Sequence, residues 1–322
     1  MPEVHELDRA ARRKGRRDRR REALAAGVWY PRWYWPSFAA PATIWLIVLF
    51  AVPFYVVLSV AFGTVDLFQN PLPVWQPWYW SAAHLTDVYH KIFGAEAFLR
   101  PAFIRTFIYV GCASLLCIFI GYAVAYYVSR YGGRRKTLFL VLLISPFWIS
   151  YLMRMLAWVN LLQKDGYINK LITFLHLAPH PVNWLEGKPI TVVLGLVYGY
   201  IPYMILPFYG FLDRIDQNLL EAGRDLGASP LRTFLRVTLP LSKPAIVAGT
   251  VIVTLPMFGD YYTNNLLSNS PKTSMIGNLL DDAIESPGQG PQGAVFVLIL
   301  MILLIVPIIY YLRSTQRAVE NR

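Results

Sequence analysis

The sequence predicts an all-α integral membrane protein with six transmembrane helices, and three observations carry that prediction. The 322-residue chain is 56% hydrophobic with a mean hydropathy of +0.41 and only 15% charged residues, too apolar for an ordinary soluble domain. Six apolar runs are each long enough to cross a hydrocarbon core of roughly 30 Å, which takes about 20 helical residues. The Lys and Arg residues behind the net charge of +11 gather at the chain start and in gaps between apolar runs, a pattern that records membrane orientation and does not point to nucleic acid.

The spans are expected at residues 39–62, 104–129, 138–162, 190–212, 242–266 and 294–312. Residues 1–38 precede them as a basic cytoplasmic tail, RRKGRRDRRR, and an aromatic stretch, VWYPRWYWPSF. There Trp29, Tyr30, Trp33, Tyr34 and Trp35 read as an interfacial anchor. The first apolar run begins too late and is too long for a cleavable signal peptide. With the N-terminus inside, the cytoplasmic segments hold 22 Lys and Arg residues and the outer loops six, which puts both termini, including the tail at 313–322, in the cytoplasm.

Cys112 and Cys117 both fall in the second span, five residues apart on different helix faces, and are expected as two buried thiols without a disulfide. No phosphate loop is present: YGGRRKT at 131–137 lacks the first glycine at the required spacing and follows a membrane helix. His176 and His180 stand four apart, but Pro179 interrupts the turn that would bring them together on a metal. No hydrolytic constellation shares a segment, so the chain is expected to be non-catalytic.

Between spans 4 and 5, on the cytoplasmic side, lies EAGRDLGASPLRTFLRVTLP, residues 221–240. Leu219, Leu220, Ala222, Gly223 and Leu226 fall on one face of a short helix. Gly227 suits the left-handed residue that ends it, and Ser229 with Pro230 forms a cap and first turn that start another. Leu231, Phe234, Leu235 and Thr238 line the second helix, which Pro240 is expected to stop. Such a knob either rests on the lipid surface or docks into a partner's groove, and the sharp break at its middle favours docking.

Glu221-Ala222-Gly223, three residues, Gly227, nine residues and Val237-Thr238-Leu239-Pro240 resemble the EAA loop of ABC importer inner-membrane permeases, E-A-A, x3, G, x9, I-x-L-P. Gly223 replaces the second alanine and Val237 the isoleucine. The resemblance implies the type I ABC importer permease fold, with this segment as the coupling helix that seats in an ATPase subunit. Glu221, Ala222, Gly223, Asp225, Gly227, Ala228, Leu239 and Pro240 are its expected coupling residues. It also implies a second homologous permease, two ATP-binding cassette ATPases that hold ATP and Mg, and an extracytoplasmic substrate-binding protein. The chain itself would carry no cofactor or metal and would sit in a bacterial cytoplasmic (inner) membrane.

Over roughly residues 100–315 the resemblance narrows. SPFWISYLMRMLAWVNLLQKDGYIN (145–169), FGDYYTNNLLS (258–268) and TSMIGNLL (273–280) look like the spermidine/putrescine-type permeases, whereas GPQGAVF (290–296) departs from the element usual before the last span. Polyamines are therefore the expected substrate, with amino-phosphonate, ferric ion and sulfate as alternatives. The competing classes are a secondary transporter or channel, which has no use for the docking segment, and a scaffold that recruits a partner without transport, which leaves Arg154, Asp260 and the broken helices unexplained.

Two charges fall inside spans away from their first residues, Arg154 and Asp260. Arg154 faces a cavity or a carboxylate, or else it snorkels to headgroups. Asp260, beside Tyr261, Tyr262, Asn264 and Asn265, either lines a passage for an ammonium group or makes a polar interhelical contact, Arg154 being one candidate partner. Asp281, Asp282 and Glu285 form an acidic outer patch, and Pro53, Pro146, Pro202, Pro207, Pro256 and Pro307 permit kinks.

Overall fold

The computed structural model describes residues 33–94 and 97–320. The basic run, Trp29 and Tyr30 lie outside the described residues. The chain divides into two compact units, residues 1–56 and 57–322.

Four helices are long and apolar enough to cross a membrane. They are α1 (Tyr34–Ala61) and, after a short hairpin of β1 (Thr64–Val65) with β2 (Pro71–Leu72) and the outer helix α2 (Ala83–Phe93), α3 (Arg100–Tyr131). The other two are spans 4 and 6, described below. α1, α3 and the last helix all run past the limits expected from hydropathy, because helical backbone continues into flanks too polar to score as apolar.

The third span departs from expectation. Residues 138–162 are not one helix: α4 (Lys136–Ile144) passes into a 3-10 turn at Ser145–Trp148, the backbone is extended at Ile149 and Ser150, and α5 (Tyr151–Leu162) and α6 (Tyr167–Phe174) follow. The two halves, Gly133–Trp148 and Tyr151–Phe174, are bent by 88°. Pro146 lies in the 3-10 turn just before the break, where its missing N–H removes a bond from the helix ladder.

Span 4 is α7 (Pro189–Leu212), and α8 (Gln217–Asp225) follows it. α9 (Pro230–Thr233) then passes through a π-helical turn at Phe234–Thr238 directly into α10 (Leu239–Phe258). Pro240 therefore does not stop the second cytoplasmic helix. It occupies the first turn of α10, and the wider π turn tolerates its missing N–H. The segment bends instead by 62° between Pro230–Leu241 and Lys243–Phe258, beside Pro244 inside the helix.

The fifth span is also shorter than the expected 242–266. α10 ends at Phe258, the backbone is irregular at Gly259–Asp260, and α11 (Tyr262–Leu267) is a separate short helix. The outer helix α12 (Ile276–Glu285) leads to α13 (Gly290–Glu320), which carries helix into the expected C-terminal tail. Counting each bent pair as one span gives six.

The core lies where α3, α7 and α10 meet. Ala102, Thr106, Tyr109, Ala113, Cys117, Gly121, Ala125 and Val128 form one buried stripe of α3 at helical spacing. Leu115 and Phe119 on the other face are exposed. Cys117 is in the stripe, but Cys112 is exposed, which corrects the expectation of two buried thiols; both are free. Without a hydrophobic force between helices in lipid, close packing and polar contacts hold them. Ser114 Oγ lies 3.0 Å from Thr254 Oγ1 and Tyr122 Oη 2.8 Å from Ser242 Oγ, joining α3 to α10.

Gly249 lets α10 press on α7: a Cβ there would stand 2.9 Å from both Met204 Sδ and Phe208 Cε1. Gly249→Val should therefore destabilise this packing by about 1–3 kcal/mol, read as a lower thermal unfolding temperature of the detergent-solubilised complex.

Candidate functional site

The chain presents two regions of interest, at opposite ends of α10. At the end where α10 begins, Asp216 caps α8, its Oδ1 accepting from Asn218 N–H at 2.9 Å. The helix ends in a Schellman motif. Gly227 N–H donates to Arg224 C=O at 2.8 Å, Ala228 N–H donates to Gly223 C=O at 3.1 Å, and Gly227 takes φ +80°. Ser229 Oγ then accepts from Arg232 N–H at 3.3 Å to start α9.

The apolar faces expected here are divided by the structure. Leu220 is buried and Gly223 half-buried, whereas Leu219 (52%) and Leu226 (89%) are exposed with Glu221, Ala222 and Asp225. In the second helix, Leu231 and Leu235 face out while Phe234 and Thr238 turn inward. Spacing identified the apolar residues but not this partition, because the fold of α8 against α9 decides which leucines it covers. A Cβ on Gly223 would meet Thr233 Cγ2 at 3.6 Å, ordinary contact, so the alanine of the EAA pattern would fit there. Phe234 packs edge-on against Tyr122 and Tyr126, at 5.8 and 5.3 Å between centroids, which links the knob to α3. Leu239 is half-buried and Pro240 exposed at the start of α10.

At the other end lies a cavity of about 500 Å³. Asp260, at 7% exposure, lines it with Tyr151, Tyr200, Tyr203, Tyr261 and Tyr262. Asp260 Oδ1 accepts from Thr263 N–H at 2.9 Å, which caps α11. Oδ2 accepts from Tyr151 Oη at 3.0 Å, Tyr200 Oη at 3.0 Å and Thr263 Oγ1 at 2.8 Å. The Tyr151 and Thr263 hydroxyls also touch each other, so two hydroxyl protons serve three contacts. No ion pair to Asp260 exists among the described residues, where the pairs found are Lys91–Asp87 and Lys136–Asp213.

Arg154 does not pair with Asp260. It is buried at 7% exposure among rings, its Cζ 4.3 Å from the centroid of Phe147, 5.5 Å from Tyr151 and 5.8 Å from Tyr198. Its Nε and Nη1 have no hydrogen-bond partner among the described residues. The partners of its guanidinium among the described residues are aromatic faces. Tyr151 thus stands between the two charges, its ring toward Arg154 and its hydroxyl on Asp260.

Of the expected passage residues, Tyr261 and Tyr262 line the cavity and stack at 4.1 Å. Asn264 and Arg154 are not among its lining. Asn264 is buried, and its Nδ2 donates to Asn278 Oδ1 at 3.1 Å. Asn278 in turn donates to Tyr261 C=O and Asn265 Oδ1, at 3.2 and 2.7 Å, so these asparagines tie α11 to α12. Sequence reasoning missed Tyr151, Tyr200 and Tyr203. The signal for the last two was present in YGYIPY at 198–203, where Tyr200 and Tyr203 share a helix face. On the outer helix, Asp281 accepts from Asn265 Nδ2 at 3.1 Å, and burial, then the Asp281 charge, raises the Asp282 pKa.

With this geometry in hand, the comparisons are specific. The family described as "Binding-protein-dependent transport system inner membrane component" matches residues 24–322, and the chain belongs to it. It is 34% identical over 204 residues to the spermidine/putrescine transport system permease protein PotB of Escherichia coli K12, covering 63% of this chain and 74% of that one. Against the Haemophilus influenzae PotB protein it is 30% identical over 275 residues, covering 84% and 91%. A crystal structure of a bacterial ABC transporter that imports alginate has the same fold, with a TM-score of 0.67 at 16% identity over 88% of this chain and 96% of that one. The protein is accordingly a multi-pass inner-membrane permease with the ABC importer permease fold.

Two substitutions test the local geometry. A Cβ at Gly199 would stand 2.7 Å from Tyr151 Cε2 and 3.0 Å from its hydroxyl, so Gly199→Ala should push Tyr151 off Asp260, lowering substrate transport with unchanged amounts of assembled complex. Gly227→Val places a branched residue in the left-handed region and should cost about 1–2 kcal/mol, seen as faster proteolysis between α8 and α9.

Proposed function

We propose that this chain is one of two permeases forming the pathway of an ATP-driven polyamine importer, with spermidine and putrescine as substrates. The observation that carries the substrate reading is Asp260: a buried carboxylate with no cationic partner among the described residues, on the wall of a tyrosine-lined cavity. A buried charge without a counter-ion is costly, and an organic ammonium would offset that cost while meeting the negative faces of the rings. The similarity to permeases named for spermidine and putrescine transport supports the same reading.

The coupling reading rests on the capped, solvent-facing α8 and on the helical segments that follow one another without a gap from Pro230 to Phe258. ATP and Mg would be held by two partner ATPases, which carry out hydrolysis, with both termini of this chain on their side of the membrane. Closure of the ATPases displaces the knob, α10 moves with it, and the irregular backbone at Gly259–Asp260 shifts relative to α5 and α7. An extracytoplasmic binding protein delivers the substrate from the other face.

Uptake of labelled spermidine and putrescine by cells lacking this gene tests both parts. The intact chain should restore uptake, whereas Glu221→Arg should reduce it at least about tenfold and release the copurifying ATPase, as for loss of a central contact at an interface. Polyamine uptake unaffected by the deletion, in cells with no other polyamine importer, would refute the substrate assignment.

A further inference from the structure

The hydrogen bonds around Asp260 carry an inference about which cations the cavity accepts; it rests on the reading of that cavity as a cation passage. A carboxylate offers about four lone-pair positions, two on each oxygen. Oδ2 meets the hydroxyls of Tyr151, Tyr200 and Thr263, but the Tyr151 and Thr263 hydroxyls are also bonded to each other, so one of that pair donates to the other and Oδ2 is filled by Tyr200 and the remaining one. Oδ1 accepts only the Thr263 N–H and keeps one position open. The carboxylate is therefore one-sided toward a newcomer.

Organic cations differ in what they require of such a group. A guanidinium is planar and binds a carboxylate best through two parallel N–H bonds, one to each oxygen. An ammonium is a compact charge with three donors that rotate freely, and a single carboxylate oxygen suffices for it. Its remaining donors find acceptors in the hydroxyl oxygens of Tyr151 and Tyr200, each of which retains lone pairs after donating its proton. The rings supply attraction to either cation, so they do not discriminate; the committed Oδ2 does.

We propose that the Asp260 cavity is selective for primary ammonium groups, which it takes end-on at Oδ1, and that Tyr200, by occupying Oδ2, is a specificity-determining residue that excludes guanidinium groups. The selectivity lies in this chain and is separate from whatever an external binding protein selects. A linear amine with one free ammonium end is accepted whatever its other end carries.

Binding of radiolabelled putrescine to the assembled importer in lipid nanodiscs, without the binding protein, tests this directly. Unlabelled putrescine and agmatine, each with a free ammonium, should compete comparably, and 1,4-diguanidinobutane should be at least about tenfold weaker, the worth of one hydrogen bond to a charged group. Tyr200→Phe keeps the ring and the carboxylate but frees a position on Oδ2, and should bring 1,4-diguanidinobutane to within about threefold of putrescine. Equal competition by the two dications in the unaltered importer overturns the selectivity, as does an unchanged ratio in Tyr200→Phe. Asp260→Asn separates the two levels: if the assembled variant binds putrescine as before, or the unaltered importer shows no saturable putrescine binding, the cavity is not the cation passage and both readings fall together.

Discussion

Hydrocarbon offers no hydrogen bonds, and that single constraint governs how this chain interrupts its own helices. Every backbone group freed by a break within the bilayer must find a partner inside the protein. At Gly259–Asp260 the partner is the Asp260 carboxylate, which caps α11, while Asn278 reaches the Tyr261 carbonyl from the following helix. Thr106, on α3, accepts the Ile276 N–H at 2.8 Å and so fixes the start of α12. The polar residues of the fifth span are thus the support of an irregular backbone before they are anything else. Function is built on that support: a carboxylate already needed as a cap is also the charge presented to the cavity.

The two intramembrane charges solve their burial in different ways. Asp260 is satisfied by hydroxyl and amide donors, Arg154 by ring faces, and Tyr151 serves both. Direct pairing would cancel the charge of Asp260 and leave the cavity wall neutral. Keeping Arg154 behind a ring preserves a free anionic surface, at the expense of guanidinium N–H groups that find no acceptor among the described residues.

Much of this was legible in the sequence because it depends on local rules. The helix stop at Gly227, the restart at Ser229-Pro230 and the oddity of Asp260 follow from left-handed backbone, capping and the cost of buried charge, each readable within a few residues. The breaks were harder. Pro146 and Pro256 announced that kinks were permitted, but a proline in a span is equally compatible with a bent continuous helix, so the 88° turn in span 3 and the early end of span 5 required tertiary context. Pro240 misled in the opposite direction: in a first turn it starts a helix as readily as it ends one. The tyrosines of the cavity come from α5, α7, the loop before α11 and the first residue of α11, and no sequence period connects positions 151, 200 and 261.

The π turn at Phe234–Thr238 has a mechanical meaning. Helical segments follow one another without a gap from Pro230 to Phe258, a length of about 43 Å along the helix at 1.5 Å per residue, although Pro240, Pro244 and Pro256 have no N–H to give the ladder. Because the segment is bent by 62°, the coupling proposed above would use it as a bell crank: a push on the short arm would become rotation of the long arm about the elbow near Pro244. The far tip of that long arm is the residue before Gly259-Asp260. Under that proposal, travel at the knob and displacement at the carboxylate would be the two ends of one part, with the ratio of arm lengths setting the gain between them.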